Sequence, residues 1–407
     1  MRPLRVIAAL LLLSLTAAGC TGNPSEIFHT SDTTAAQAQE QPQPELIPID
    51  GLPNFALITQ LGENYFGSLA TEQPGEGLVW EDCLIHARTG EKTSLTYPAD
   101  LPDWTLGSGS FVVLEDRFLY EWKSYTFSLG GNTLHDMKLT RTDGKTGEVT
   151  VMDELEQTSP FIYLCKLSDQ EFLSYSICRV PGSEAEYATL ATAVRYTADG
   201  GKTEIIRETY ENDVSWTDSR GRLIERFAVD DGKIYGIGRR RIAGEYRFFL
   251  YRYSLTGEPV AELPLNGLAE IIGTEQPYDF ILQGDFIVLR TFESLSTYLL
   301  RTGEREVELI LSGPDGSMQY ALADRRLYAI SAVTDGPLCI LHVLDTDGGS
   351  VETVSLPLPI REPFFVDMKA LPSGDLWLTY NENGTYDPMT RQHFLLSRSV
   401  IDSRLTP

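Results

Sequence analysis

Two short turns alternate along this chain, and the alternation leaves few folds open. The first sets an acidic residue or glycine before an apolar or aromatic one: Gly62-Glu63-Asn64-Tyr65, Glu115-Asp116-Arg117-Phe118, Asp169-Gln170-Glu171-Phe172, Asp231-Gly232-Lys233-Ile234, Gly284-Asp285-Phe286, Asp324-Arg325-Arg326-Leu327 and Ser373-Gly374-Asp375-Leu376. The second is Thr89-Gly90-Glu91, Thr146-Gly147-Glu148, Asp199-Gly200-Gly201, Thr256-Gly257-Glu258, Thr302-Gly303-Glu304 and Asp347-Gly348-Gly349. Gly, Asp and Asn tolerate the positive φ that tight hairpins demand, so each turn joins two antiparallel strands. The apolar anchors recur at intervals from 41 residues (Phe286 to Leu327) to 62 (Phe172 to Ile234). Residues 227–267 show one whole unit: four short aromatic or β-branched runs separated by three turns.

Such a unit is the four-stranded meander of a propeller blade, whose period is roughly 40–50 residues with loop insertions. Third strands such as 247–255 and 338–344 are apolar on both alternating faces, as a blade covered on each side requires. The sequence therefore predicts an all-β, seven-bladed β-propeller over residues 45–407, with six or eight blades, a large β-sandwich or a β-helix as the alternatives. Residues 45–50 (ELIPID) resemble a fourth strand without its blade. The seventh blade shows the complementary lack, with strands expected at 364–370, 375–380 and 393–401 and almost no chain after them. A strand from the N-terminus closing the last blade would remove a free edge.

Residues 1–19 read as an export leader: Arg2 and Arg5 precede the apolar run 6–13, and small residues lead to Cys20. The stretch Leu15-Thr16-Ala17-Ala18-Gly19-Cys20 resembles a bacterial lipobox, which implies lipidation of Cys20; Ala17 stands where Leu is more usual. Residues 20–44, rich in Thr, Ala, Gln and Pro, read as a disordered tether. The expected location is thus the extracytoplasmic face of a membrane.

The chain carries 33 Lys+Arg against 58 Asp+Glu, a formal charge of −25, and loss of a leader holding Arg2 and Arg5 makes it more acidic still. Nucleic acid binding needs a basic face, so it is excluded as a partner class. Cys83, Cys165, Cys178 and Cys339 match no zinc spacing and read as buried thiols. The minority alternative is a Cys165–Cys178 disulfide; with Asp169-Gln170 as the two-residue turn, Cys165 is expected opposite Ser174. Of five His, His29 falls in the tether and His86, His342 and His393 in third strands; His135 beside Asp136 is a weak acid–base pair, since strand neighbours face opposite ways. No nucleophile elbow, metal-spaced His pair or phosphate loop appears, so no catalytic residue, metal or cofactor is expected.

The Thr-Gly-Glu turns and Ser373–Trp377 (SGDLW) resemble repeats of the PQQ-like, TolB-like and NHL-type propeller superfamilies over residues 45–407. The resemblance implies the fold and no quinone cofactor. Three functions fit an exported propeller: a monomeric membrane-anchored scaffold binding a protein or glycan, a polysaccharide lyase or glycoside hydrolase using carboxylates, and a transport receptor. The last is usually α/β and rich in long helices. In a propeller the strand 1–2 and 3–4 turns share one face, and the 2–3 and inter-blade connections share the other. The first set is tight here, whereas the second includes 98–109, 123–135, 210–225, 239–245, 266–278 and 381–392. Long loops on a rigid scaffold carry binding residues, often Trp, Tyr and Arg. The candidates are Trp104, Tyr125, Trp216, Arg239, Arg240 and Tyr386.

Overall fold

The computed structural model describes residues 47–405 except 50–51, 53, 74–76, 100, 102–105, 130–131, 157–160, 181–187, 212–222, 244, 274, 276, 292–293, 295, 304–305, 314–317, 324, 333–338, 346–349, 357–365 and 382–390. The chain opens with β1 (Ile47–Pro48). Blade 1 holds β2 (Phe55–Leu61), β3 (Asn64–Gln73), β4 (Gly77–His86) and β5 (Lys92–Ser94). Blade 2 holds β6 (Leu106–Leu114), β7 (Phe118–Leu129), β8 (Asn132–Asp143) and β9 (Val149–Glu156). In blade 3 are β10 (Phe161–Ser168), β11 (Glu171–Val180), β12 (Ala188–Thr197) and β13 (Lys202–Glu211). Blade 4 comprises β14 (Leu223–Asp230), β15 (Lys233–Ile242), β16 (Glu245–Tyr253) and β17 (Pro259–Pro264), followed by helix α1 (Leu268–Ile272). Blade 5 comprises β18 (Pro277–Gln283), β19 (Phe286–Thr291), β20 (Thr297–Thr302) and β21 (Val307–Gly313). Blade 6 comprises β22 (Met318–Ala323), β23 (Arg326–Ala332), β24 (Cys339–Asp345) and β25 (Ser350–Leu356). Blade 7 has β26 (Val366–Ala370), β27 (Leu376–Asn381) and β28 (Arg391–Leu396), and helix α2 (Arg398–Leu405) ends the chain.

These are seven four-stranded antiparallel sheets, and the protein is a seven-bladed β-propeller. Six blades run in chain order; the seventh is ordered β26-β27-β28-β1. The N-terminal strand thus supplies its fourth member, through Ile47 opposite Leu395 and Pro48 opposite Phe394, with Ile49 N–H donating to the His393 carbonyl at 2.9 Å. Innermost strands of neighbouring blades touch, among them β2 and β26 across the closure.

The repeated turns do what their residues permit. Asp231 and Gly232 both have positive φ (48° and 65°), the signature of the hairpin turn whose twist suits flanking strands. Gly257 meets a double demand: its φ is +84°, and a Cβ there would fall 1.9 Å from the Ile205 carbonyl oxygen of blade 3. Only glycine lets that turn lie against the neighbouring blade.

The core lies between blades rather than within them. Blades 6 and 7 meet through Tyr328, Ile330, Leu341, Val343, Leu376 and Leu378, with Ile401 of α2 added. Blades 3 and 4 meet through Leu173, Tyr175, Phe227, Ile234, Phe249 and Tyr251. Among the described residues blades 1 and 2 share a smaller buried cluster, Leu61, Phe66 and Leu84 against Leu119, with Ile58, Phe111 and Val113 packed beside it.

Several expected boundaries are corrected. The strand expected over 393–401 stops at Leu396, because Ser397 caps a helix: its carbonyl accepts from Val400 and Ile401, and its Oγ accepts from the Ser399 N–H. The connection 266–278 is not wholly a displayed loop, since α1 buries Leu268 and Ile272. Residues 123–129 and 239–242 belong to strands, so the loops expected over 123–135 and 239–245 are long hairpins. Cys165 stands opposite Leu173, not Ser174, because a bulge between Lys166 and Ser168 shifts the register by one.

Candidate functional site

Trp104, Trp216 and Tyr386 lie outside the described residues, as does Cys20. Tyr125 is a strand residue of β7, opposite Asp136. Arg239 and Arg240 extend β15, where Arg239 is half-buried and stands between Leu223 and Phe248, and Arg240 stands opposite Arg247. The loops expected over 123–135 and 239–245 therefore shrink to strand ends, and two other places gather chemistry around blade 1.

One is a buried ionic cluster between blades 1 and 2. Lys123, 1% exposed, points its Nζ to Asp82 Oδ2 at 3.2 Å and Glu121 Oε1 at 3.0 Å. The Tyr97 ring lies 5.5 Å from that Nζ, and Ser68 Oγ donates to Asp82 Oδ1 at 2.6 Å. Burial works against the ammonium, but Glu121, Tyr97 and Asp82 more than offset it and hold Lys123 protonated above its ordinary range. Burial also raises the Glu121 carboxyl, with Lys123 opposing, and pushes Tyr97 up to about 12. Lys123 bridges the two carboxylates; Glu121 is buried with it, while Asp82 stays partly exposed. The arrangement ties two blades together.

The other place lies at the loop-face ends of blades 7 and 1. Strand β4 begins just after the 2–3 connection of its blade, and β28 just after that of blade 7. The Arg391 guanidinium sits 5.6 Å above the Trp80 ring. Trp80 is 45% exposed and Leu78 43%, high values for large apolar side chains. The short β5 pairs only with Cys83, Leu84 and Ile85, so among the described residues the outer edge of β4 beside Leu78 and Trp80 has no fourth strand over it. Sequence reasoning missed Trp80 because it sits in a strand; the shortness of the run before Thr96 was the available signal.

Beside this shelf lies a closed polar group. Trp377 Nε1 donates to Thr379 Oγ1 at 3.1 Å and to His393 Nδ1 at 3.3 Å. An acceptor Nδ1 requires a neutral ring, and burial accordingly lowers His393 to about 4. His342, bonded through Nε2 to Ser331 Oγ at 2.9 Å, is also lowered to about 4 by burial. Buried Cys83 and Cys339 are pushed up to about 11 by loss of solvation, and the Cys165 thiol donates to the Phe227 carbonyl at 3.6 Å. Thiols this far up are packing groups rather than nucleophiles. Among the described residues no group of three or more His, Cys, Asp or Glu converges on a metal-sized space.

No family model matches the chain, and neither does any curated protein. Solved structures with a similar outline include an oligogalacturonate lyase in complex with manganese, 13% identical, covering 88% of this chain and 98% of its own, with a TM-score of 0.47. A polysaccharide lyase is 12% identical, covers 87% and 89%, and has a TM-score of 0.49. An α-L-arabinanase of Penicillium chrysogenum complexed with arabinobiose is 11% identical, covers 74% and 96%, and has a TM-score of 0.40. At these identities the likeness concerns the fold alone.

Proposed function

We propose that the protein is a lipid-anchored, extracytoplasmic binding scaffold that presents the loop face of its propeller to a protein or glycan. The observation that carries this reading is the contrast between the two faces. Turns such as 256–258 are drawn against a neighbouring blade, while the opposite face holds an exposed tryptophan under an arginine. Exposed Trp and Arg are the residue types that most often dominate binding energy. The anchor rests on Cys20 and its flanking residues.

The second reading, a polysaccharide lyase or glycoside hydrolase, would draw on the carboxylates brought together here, Asp82 and Glu121. Both are held by Lys123. Incubation of the purified protein with a panel of polysaccharides separates the two. The scaffold reading expects retention without new reducing or unsaturated ends, and accumulation of such ends overturns it. For the anchor, Cys20→Ser is expected to move the protein from the membrane to the soluble fraction without changing its melting temperature. Unchanged membrane retention defeats that part. Among the loop residues, Trp104→Ala, Trp216→Ala and Tyr386→Ala are expected to weaken retention.

A further inference from the structure

The shelf on blade 1 combines three features that one class of ligand would use together. Trp80 offers a flat, half-open ring face. The outer edge of β4 beyond Cys83 is uncovered by β5, which leaves strand N–H and C=O groups there without a ladder partner among the described residues. Arg391 supplies a positive charge beside the ring.

The charge is the telling part. In a chain of net charge −25, cations are readily claimed by carboxylates. Lys92 holds Glu81, Arg117 holds Asp143, Lys202 holds Asp153 and Arg326 holds Asp402. Among the described residues no carboxylate lies against Arg391. Of the described acids around the seam, Glu81 is engaged by Lys92 and Ser94, and Asp367 by Lys369 at 3.3 Å. An arginine that no described carboxylate holds, laid on an exposed indole, offers its charge to an external anion.

Resting on the loop-face reading above, we propose that Trp80, Arg391 and the open edge of β4 form a binding site for a polysaccharide that carries uronic acid carboxylates. A pyranose ring packs its C–H face on the Trp80 indole, as flat apolar surfaces pair. The sugar carboxylate accepts from the planar guanidinium of Arg391, which matches it in a two-bond fork. Hydroxyl groups meet the unpaired backbone of the β4 edge. The acidity of the rest of the surface repels anionic polymer elsewhere and confines it to this spot.

The test titrates the purified protein with polygalacturonate and, in parallel, with the same polymer fully methyl-esterified, which keeps the ring and removes the charge. The proposal expects tighter binding of the acidic form. Arg391→Gln is expected to weaken that form about tenfold, the size of one charge-assisted bond, while leaving the ester unchanged. The wild-type preference is also expected to shrink with added salt, and that of Arg391→Gln to stay flat. Trp80→Ala should weaken both forms by about tenfold and Trp80→Phe restore them, with melting temperatures unchanged throughout. Equal binding of the two polymers, no binding of either, or an Arg391→Gln variant that keeps the preference overturns the proposal. A hydrogen-exchange footprint of polygalacturonate on the loop ends of blades 3 to 5 overturns this site and leaves the loop-face reading standing. A footprint on the tight-turn face overturns both.

Discussion

The seam between blades 6 and 7 and the seam between blades 1 and 2 do the same job by different means. The first is a dry stack of Tyr328, Ile330, Leu341, Val343, Leu376 and Leu378, sealed by Ile401. The second has a thin apolar contact and a buried ammonium shared by Asp82 and Glu121. Apolar surface holds by area and tolerates small shifts. A buried ion pair holds by geometry: intact, it roughly breaks even against an apolar replacement, but broken, it leaves a stranded charge. The polar seam is therefore the brittle one, although it is no stronger than its counterpart.

The sharpest way to break this comparison is Lys123→Ala. It strands Glu121 and Asp82 and is expected to remove about 3–5 kcal/mol from the urea-unfolding free energy. Leu341→Ala in the dry seam is expected to lose about 2–4 kcal/mol, set by how far its neighbours collapse into the gap. A loss below about 1 kcal/mol for Lys123→Ala would show that water replaces the ammonium and that the seam is not brittle.

A third expectation concerns acid, which acts through the buried imidazoles of blades 6 and 7. His393 and His342 are lowered to about 4, whereas in the unfolded chain they titrate near the ordinary value of 6.5. Between those values the unfolded state binds more protons, so stability is complete above pH 6.5 and declines as pH falls toward 4. Each residue contributes roughly 3 kcal/mol at the acid end. Protonated His393 would also turn a second donor toward the Trp377 N–H. A His342→Asn, His393→Asn double variant should flatten the decline, measured as melting temperature against pH; an unchanged slope would place the acid sensitivity in other groups. The smallest effect is expected from Glu121→Leu with Lys123→Met and Asp82→Asn, which removes the charges from the polar seam. A change within about 1 kcal/mol is expected, and a large loss would show that this seam needs its charges.

The blades were legible because their turns are local: a positive-φ pair such as Asp231-Gly232 is written in two adjacent residues. The closing strand was legible for a similar reason, through a surplus at one end of the chain and a deficit at the other. What escaped was decided by partners far away in sequence. Lys123 reads as a loop residue until Asp82 and Glu121 surround it, and the Arg239–Arg241 run reads as a loop until strand pairing with β16 is seen. The register of Cys165 turned on one bulged residue. Ser397 was a readable cap, but the apolar Val400 and Ile401 after it fit a strand equally well. Trp80 was missed because it sits in a strand, and the signal beside it was only the short run before Thr96.

The junction of β1 with β28 also sets a clock on biogenesis. The segment that seals the ring, Ile47–Pro48, leaves the ribosome among the first, and its partners Phe394 and Leu395 among the last. At roughly 5–20 residues per second, the earliest-made strand waits on the order of half a minute for the latest-made one. During that interval the nascent molecule is an unsealed arc, and no order of blade formation shortens the delay.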